Sequence, residues 1–270
     1  MKVIHISDIH VGYENLGDRF RTMVRHLIFE KGDKPDDYVI VITGDLVDDA
    51  RDVARPDEVR SGLDSLREAG FHQILVVPGN HDYGTGSKGE RRFVRTFKLC
   101  FYGEEIGYPK VDVIGRVAFF GLDSMAEELN WYDDLFAQGE LGDDQLRRLD
   151  AALRDPAVRE CRKRVLYMHH HPFDAWPLHE LKDSEALREV LSGVRADGIS
   201  IDAFLYGHNH EGKVHNGHWG IPRCYDAGTA TLKPRPKWLS WMPWFEERAS
   251  VRMIDMECDA PAYDYVLNLL

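Results

Sequence analysis

Cysteine is scarce and scattered in this chain: Cys100, Cys161, Cys224 and Cys258 lie far apart, and no two form a Cys-x-x-Cys pair. That spacing argues against a zinc knuckle or a disulfide framework and leaves free thiols as the expectation. Long apolar runs are missing as well. No stretch approaches the ~18 apolar residues of a membrane span, and a strand-like run already begins at Lys2, so neither a leader nor a span is expected and the protein is read as cytoplasmic. Positive charge is in deficit, with 34 Lys and Arg against 46 Asp and Glu and a formal net charge of -12. Duplex DNA or RNA is gripped by clustered cations, so extended nucleic acid is not an expected partner, whereas a small substrate is. No repeat, low-complexity tract or Pro-, Gly- or Ser-rich linker divides the 270 residues, and 43% hydrophobic composition suits a single compact domain over 1–270.

What is present is a series. Five polar clusters, Asp8-Ile9-His10, Gly44-Asp45-Leu46-Val47-Asp48, Gly79-Asn80-His81-Asp82, His169-His170-His171-Pro172 and Gly207-His208-Asn209-His210, each follow a β-rich apolar run. The runs Val3–Ile6, Tyr38–Ile42, Ile74–Val77, Val165–Met168 and Ala203–Tyr206 suit strands covered on both faces. In open α/β sheets ligands bind beyond the carboxyl ends of the strands, so clusters distant in sequence can meet in one cleft. Carboxylate, carboxamide and imidazole are the groups that hold borderline divalent ions.

Between the strands, Phe20, Met23, Val24, Leu27 and Ile28, then Val59, Leu63 and Leu66, recur at helical spacing, so the first half reads β-α-β-α-β with a parallel sheet. Runs at Val111–Ile114 and Val117–Leu122 flank Gly115-Arg116 in a predicted hairpin. Leu141–Leu153 reads as a helix, as does a short segment with Leu187, Val190 and Leu191. Beyond His210, Asn216-Gly217, a run Arg223–Tyr225 and a strand Ser250–Met256 read as antiparallel and as closing a second sheet. Tyr83–Glu90 reads as a mobile Gly-rich loop beside the clusters. Lys233–Phe245, with Trp238, Trp241 and Trp244, is too Pro-broken for a regular helix and would be a core-packed loop, a lid or an oligomer interface.

Asp8 and His10 flank one residue at a strand end and can share an ion. Asp45 follows Gly44, which permits close backbone approach, and its two oxygens can bridge two cations. Asn80, His169, His208 and His210 add donors sufficient for a second ion. A lone His is more often structural than a ligand, but five such elements in order outweigh that. The ordered set DxH, GDxxD, GNHD, HHxP-like and GHxH, spanning residues 8–210, resembles the calcineurin-like metallophosphoesterase superfamily, and within it the cyclic nucleotide phosphodiesterase and glycerophosphodiesterase branches.

The resemblance implies an α/β fold, a four-layer α-β-β-α sandwich of two mixed sheets, with two divalent ions (Mn, Fe or Zn) at the strand ends. Carried over motif by motif, Asp8, His10 and His210 would hold one ion and Asn80, His169 and His208 the other, with Asp45 bridging. Three histidines stand where the family commonly has two, which leaves His170 as the alternative to His169, while His171 either reaches the substrate or caps the turn. Asp48 and Asp82 would orient ligands and the neighbouring His81, although Asp48 could equally be a helix N-terminal charge. His81 would protonate the leaving oxygen, with Asp82 keeping it charged, or would merely fill space. The implied reaction is hydrolysis of a small-molecule phosphoester, a diester before a monoester, by hydroxide held between two ions. A nuclease and a non-catalytic scaffold are the rivals. The loops Tyr83–Glu90 and Asp174–Glu180, the latter containing His179, would select the substrate.

Overall fold

The computed structural model describes residues 1–86, 89–126, 138–173, 181–231, 249–259, 261 and 264–268. Lys233–Phe245 and Asp174–Glu180 with His179 lie outside these residues. The first half alternates strand and helix: β1 (Lys2–Ile6), α1 (Leu16–Lys31), β2 (Tyr38–Thr43), α2 (Arg55–Glu68), β3 (Ile74–Val77) and α3 (Arg91–Tyr102). Then come β4 (Lys110–Ile114), β5 (Val117–Gly121), α4 (Asp143–Leu153), α5 (Pro156–Arg159), β6 (Lys163–Tyr167), α6 (Ser184–Ala196), β7 (Ala203–Tyr206), β8 (Arg223–Asp226), β9 (Ser250–Asp255) and β10 (Tyr265–Asn268).

Two five-stranded mixed sheets result, ordered β10-β9-β1-β2-β3 and β4-β5-β6-β7-β8. Alternation along each strand explains why they stack. In β1, Ile4 and Ile6 pack with Phe20, Leu27 and Leu63 from the helices, whereas Val3 faces the other sheet; Ile40 and Ile42 against Val39 and Val41 in β2 repeat the pattern. In the second sheet Leu166 and Phe204 meet α4 and α6, while Val165, Tyr167 and Leu205 complete the layer between the sheets. Each such side chain contributes about 1.5–3 kcal/mol by leaving water, and two-sided burial is what makes the strands uniformly apolar. The outcome is the four-layer α-β-β-α sandwich.

Three details differ from the sequence reading. β8 pairs with β7 in parallel, not antiparallel, so the second sheet ends in four parallel strands, and β8 meets the segment before it through an isolated antiparallel bridge, Val214 to Tyr225. β9 does not close the second sheet but returns to the first, antiparallel to β1, with β10 outside it. α3, unanticipated, buries Phe93 and Phe97 one turn apart and ends on Gly103 in the left-handed region. The loop Tyr83–Glu90 is tied at its neck, where Gly84 bridges Gly89 and Glu90 N donates to Tyr83 O at 2.7 Å. Among the described residues no helix is long and apolar enough to cross a membrane.

Candidate metal centre

All five clusters sit on turns at the carboxyl ends of β1, β2, β3, β6 and β7, on neighbouring edges of the two sheets. Pairing continues past the strand ends: Asp8 N donates to Gly44 O at 3.1 Å, and Ile9 N and His10 N both donate to Asp45 O, at 2.8 and 3.0 Å. The turns are strained. Asp8, His10, Asp45, His208 and His210 have φ of 54°, 49°, 50°, 74° and 55°, and only two other non-glycine residues share that region among those described. Such backbone costs about 1–3 kcal/mol per residue and persists only where its surroundings enforce it. Close packing is part of that enforcement. A Cβ at Gly79 would collide with Asp45 Oδ1, and one at Gly207 with Ser7 Oγ and Asp8 Oδ2.

The side chains converge on a buried cleft. Single ligand atoms from Asp8, His10, Asp45 and His210 all lie within 4.8 Å of one another. His210 Nε2 is 2.9 Å from Asp8 Oδ1 and 3.3 Å from His10 Nε2, which is itself 3.7 Å from Asp45 Oδ2. A second group meets the first at Asp45: His169 Nε2 stands 3.3 Å from Asp45 Oδ2, 2.9 Å from Asn80 Oδ1 and 3.2 Å from His208 Nδ1. Asp45 Oδ1 meanwhile accepts from His81 N at 2.9 Å, and Asp8 Oδ2 from His208 N at 3.2 Å.

The donor chemistry fits a pair of cations. His169 Nδ1 lies 2.8 Å from the Thr43 carbonyl, which can only accept, so Nδ1 carries the ring proton and Nε2 turns a lone pair into the cleft. Asn80 donates through Nδ2 to Gly86 O at 2.8 Å, so its Oδ1 is an acceptor too. With the ring neutral, three acceptors, Nε2, Asn80 Oδ1 and Asp45 Oδ2, face one another, and either a proton on Nε2 or a bound cation relieves their repulsion. Burial alone would lower the pKa of His169, yet Asp45, then Asp8 and the Thr43 carbonyl, push it up to about 9. In the other group burial works against Asp8 ionising and His210 overcomes it, holding the carboxyl below its usual range; His210 is raised in turn, against burial, chiefly by Asp8. Asp45 is held well below its usual range, against burial, by His169, His81 and His10. Carboxylates kept ionised beside inward-facing imidazole and carboxamide lone pairs suit borderline divalent ions with mixed N and O preferences.

Of the two candidates after β6, His169 supplies the nitrogen within this cluster. His170 is buried beside it, its Nδ1 2.8 Å from Ser124 Oγ and its ring 4.4 Å from that of His208. His171 Nδ1 accepts from Phe173 N at 3.1 Å, which is a turn cap, and its Nε2 lies 3.3 Å from His215 Nε2. Asp48 acts twice: Oδ1 is 3.6 Å from His10 Nδ1, and its carbonyl accepts from His81 Nδ1 at 2.6 Å.

Asp82 corrects the expectation that it would steady His81. Its carboxylate instead accepts from the backbone N–H groups of Leu46 at 3.0 Å, Val47 at 3.2 Å and Gly79 at 2.9 Å, so it fastens the Asp45 turn to the Asn80 turn. The residues 81–83 form one 3-10 turn. Successive side chains on such a turn point about 120° apart, which separates Asp82 from its neighbour. Sequence reasoning also passed over Ser124, which holds His170, and the segment Asp226–Thr231, which bonds to two ligand-bearing turns. The latter had the same signal as the other clusters, polar residues directly after a strand.

Known proteins resemble this chain in sequence and in fold. The sequence model of the calcineurin-like phosphoesterase family matches residues 1–212. The chain is 27% identical over 255 residues to an uncharacterized metallophosphoesterase of Helicobacter pylori strain J99, covering 88% of this chain and 60% of that protein. A second strain, 26695, has a relative 26% identical with the same coverage. The chain therefore spans 60% of the length of the curated relatives it matches. Among solved structures, a dimetal phosphatase from Danio rerio superposes with a TM-score of 0.61 at 16% identity, covering 100% of this chain and 99% of that one. A purple acid phosphatase from yellow lupin seeds gives 0.51 at 15% identity, over 77% of this chain and 37% of that one.

Proposed function

The chain belongs to the calcineurin-like phosphoesterase family, and on that footing we propose that it hydrolyses small-molecule phosphodiesters with two divalent ions, Mn, Fe or Zn. Asp8, His10 and His210 would hold one ion, Asn80, His169 and His208 the other, and Asp45 would stand between them. Bound cations supply Lewis acidity for the phosphoryl oxygens and bring the pKa of a water towards ~7.

The protein's own part lies in holding geometry and moving a proton. Asp45 turns Oδ2 to the imidazoles while Oδ1 is engaged by His81 N, which fixes the carboxylate plane. Thr43 O and Asp48 Oδ1 stand behind His169 and His10, so each ring presents Nε2 inward. His81 is the group that favours a diesterase. Its ring stands edge-on to that of His10, centroids 4.7 Å apart, with Nδ1–H fixed on the Asp48 carbonyl. The remaining nitrogen, Nε2, is then the one that carries a proton to the departing oxygen. An alkoxide of high pKa needs that proton most, which is why a locked imidazole beside the ligand cluster supports alkyl or ribose diesters as substrates. Free cysteines fit a cytoplasmic setting, and the acidic chain fits a small substrate rather than extended nucleic acid.

A panel of diesters and monoesters, assayed with metal-reconstituted protein, tests the reading. kcat/KM should be at least about tenfold higher for bis(p-nitrophenyl) phosphate than for p-nitrophenyl phosphate. The reverse order would make the protein a monoesterase.

A further inference from the structure

The turn after β8 carries none of the proposed ligands, yet it bonds to both turns that supply the first ion's set. On one side Asp226 Oδ2 accepts from Glu211 N at 3.2 Å, one residue beyond His210, while Oδ1 accepts from Gly228 N at 2.7 Å. Asp226 N donates to Lys213 O and Ala227 N to Tyr206 O, both at 3.0 Å, which pins the two ends of the His208–His210 turn. Arg252 of β9 adds a bond from Nη2 to Gly212 O at 3.1 Å. On the other side Thr229 Oγ1 donates to Asp8 O at 3.0 Å, Ala230 N to Ser7 O at 3.0 Å and Thr231 Oγ1 to Ile9 O at 2.8 Å. Asp226, Thr229 and Thr231 are all buried.

Four of the residues so held, Asp8, His10, His208 and His210, lie on these two turns in the left-handed region, where side-chain-bearing residues stay only under external constraint. Strand pairing cannot supply that constraint between the turns, because β1 and β7 belong to different sheets. The segment 226–231 is therefore a strap from one sheet to the other.

We propose that Asp226–Thr231 sets the separation of the Asp8–His10 and His208–His210 turns, with Asp226 the positioning residue for the histidines and the hydroxyls of Thr229 and Thr231 those for Asp8 and His10. This rests on the reading of these four residues as metal ligands. Asp226 suits the task because two carboxylate oxygens can accept from two different chain segments at once. An alanine can accept from neither, and an asparagine from one.

Titration of metal-free protein with Co²⁺, followed by its visible absorption, tests the proposal. In Asp226→Ala and in the Thr229→Val/Thr231→Val double variant, cobalt affinity should fall about 10- to 100-fold, as it does when groups behind metal ligands are removed, and the band shape at saturation should change. Asp226→Asn should recover part of the affinity, and Thr229→Ser/Thr231→Ser, which restores both hydroxyls, should return the wild-type curve. A role confined to stability would lower the melting temperature and leave the saturated spectrum alone. Wild-type midpoints and spectra in the alanine and valine variants would overturn the strap. If Asp226→Ala does not fold, the valine pair, which loses only two oxygens, decides by the same criterion. Failure of the wild type itself to bind cobalt would instead refute the metal-centre reading on which the strap depends.

Discussion

Replacing Asp82 by asparagine should change how the stability of the metal-free protein responds to pH. The carboxylate is buried and accepts three backbone N–H groups, yet burial, reinforced by the negative charge of Asp45, pushes its pKa up to about 7. Its folded value therefore lies above the 3.8 of an unperturbed aspartate. The folded protein keeps a proton that the unfolded chain has already released, so this group's contribution is most favourable below that value. It declines as pH rises towards 7 and is constant beyond. Linkage across this shift gives a loss of about 2–3 kcal/mol between pH values of about 5 and 8. Asparagine keeps the shape and one acceptor oxygen but does not titrate. Its stability relative to wild type should therefore rise by that amount over the same interval, whatever the constant offset between the two. Urea unfolding at both pH values, with chelator present, measures the difference, and every other titrating group is common to the pair. Parallel pH profiles would refute the assignment of a raised pKa to Asp82.

Removing the imidazole in His81→Ala should leave metal content unchanged and reduce kcat/KM on an alkyl or ribose diester about 10²- to 10⁴-fold, with a much smaller loss on bis(p-nitrophenyl) phosphate, whose phenolate leaves without help. Equal losses on both substrates would reassign His81 to positioning. Away from the cleft, Arg223 is buried with Nε 2.8 Å from Asp264 Oδ2 and Nη2 on the carbonyls of Asp255 and Cys258. Arg223→Met should cost about 3–5 kcal/mol in urea unfolding, because it leaves the Asp264 carboxylate buried without its cation. A change under about 1 kcal/mol would show the pair to be dispensable.

The sequence made the centre legible because two-sided strands are uniformly apolar and each ends abruptly in a polar turn, so Ile4, Val41, Val76, Leu166 and Leu205 mark where Asp8, Asp45, Asn80, His169 and His208 follow. Adjacency in sequence misled at Asp82, since a 3-10 turn sends it to Leu46, Val47 and Gly79 instead of His81. What steadies His81 and His169 was invisible for a different reason: the acceptors are the carbonyls of Asp48 and Thr43, and a carbonyl leaves no trace in residue identity. Strand order failed in the last quarter because Ser250–Asp255 reads as a buried strand whichever sheet it joins. The family resemblance placed the layers correctly, while the choice of partner for β9 depends on contacts far apart in the chain.

Metal counting tests the central claim most directly. Elemental analysis of protein purified without chelator should find about two divalent ions per chain, and Asp45→Ala, which removes a carboxylate within reach of both His10 and His169, should lose the second ion together with hydrolysis. A single tightly held zinc per chain, retained unchanged in Asp45→Ala, would contradict the two-ion centre.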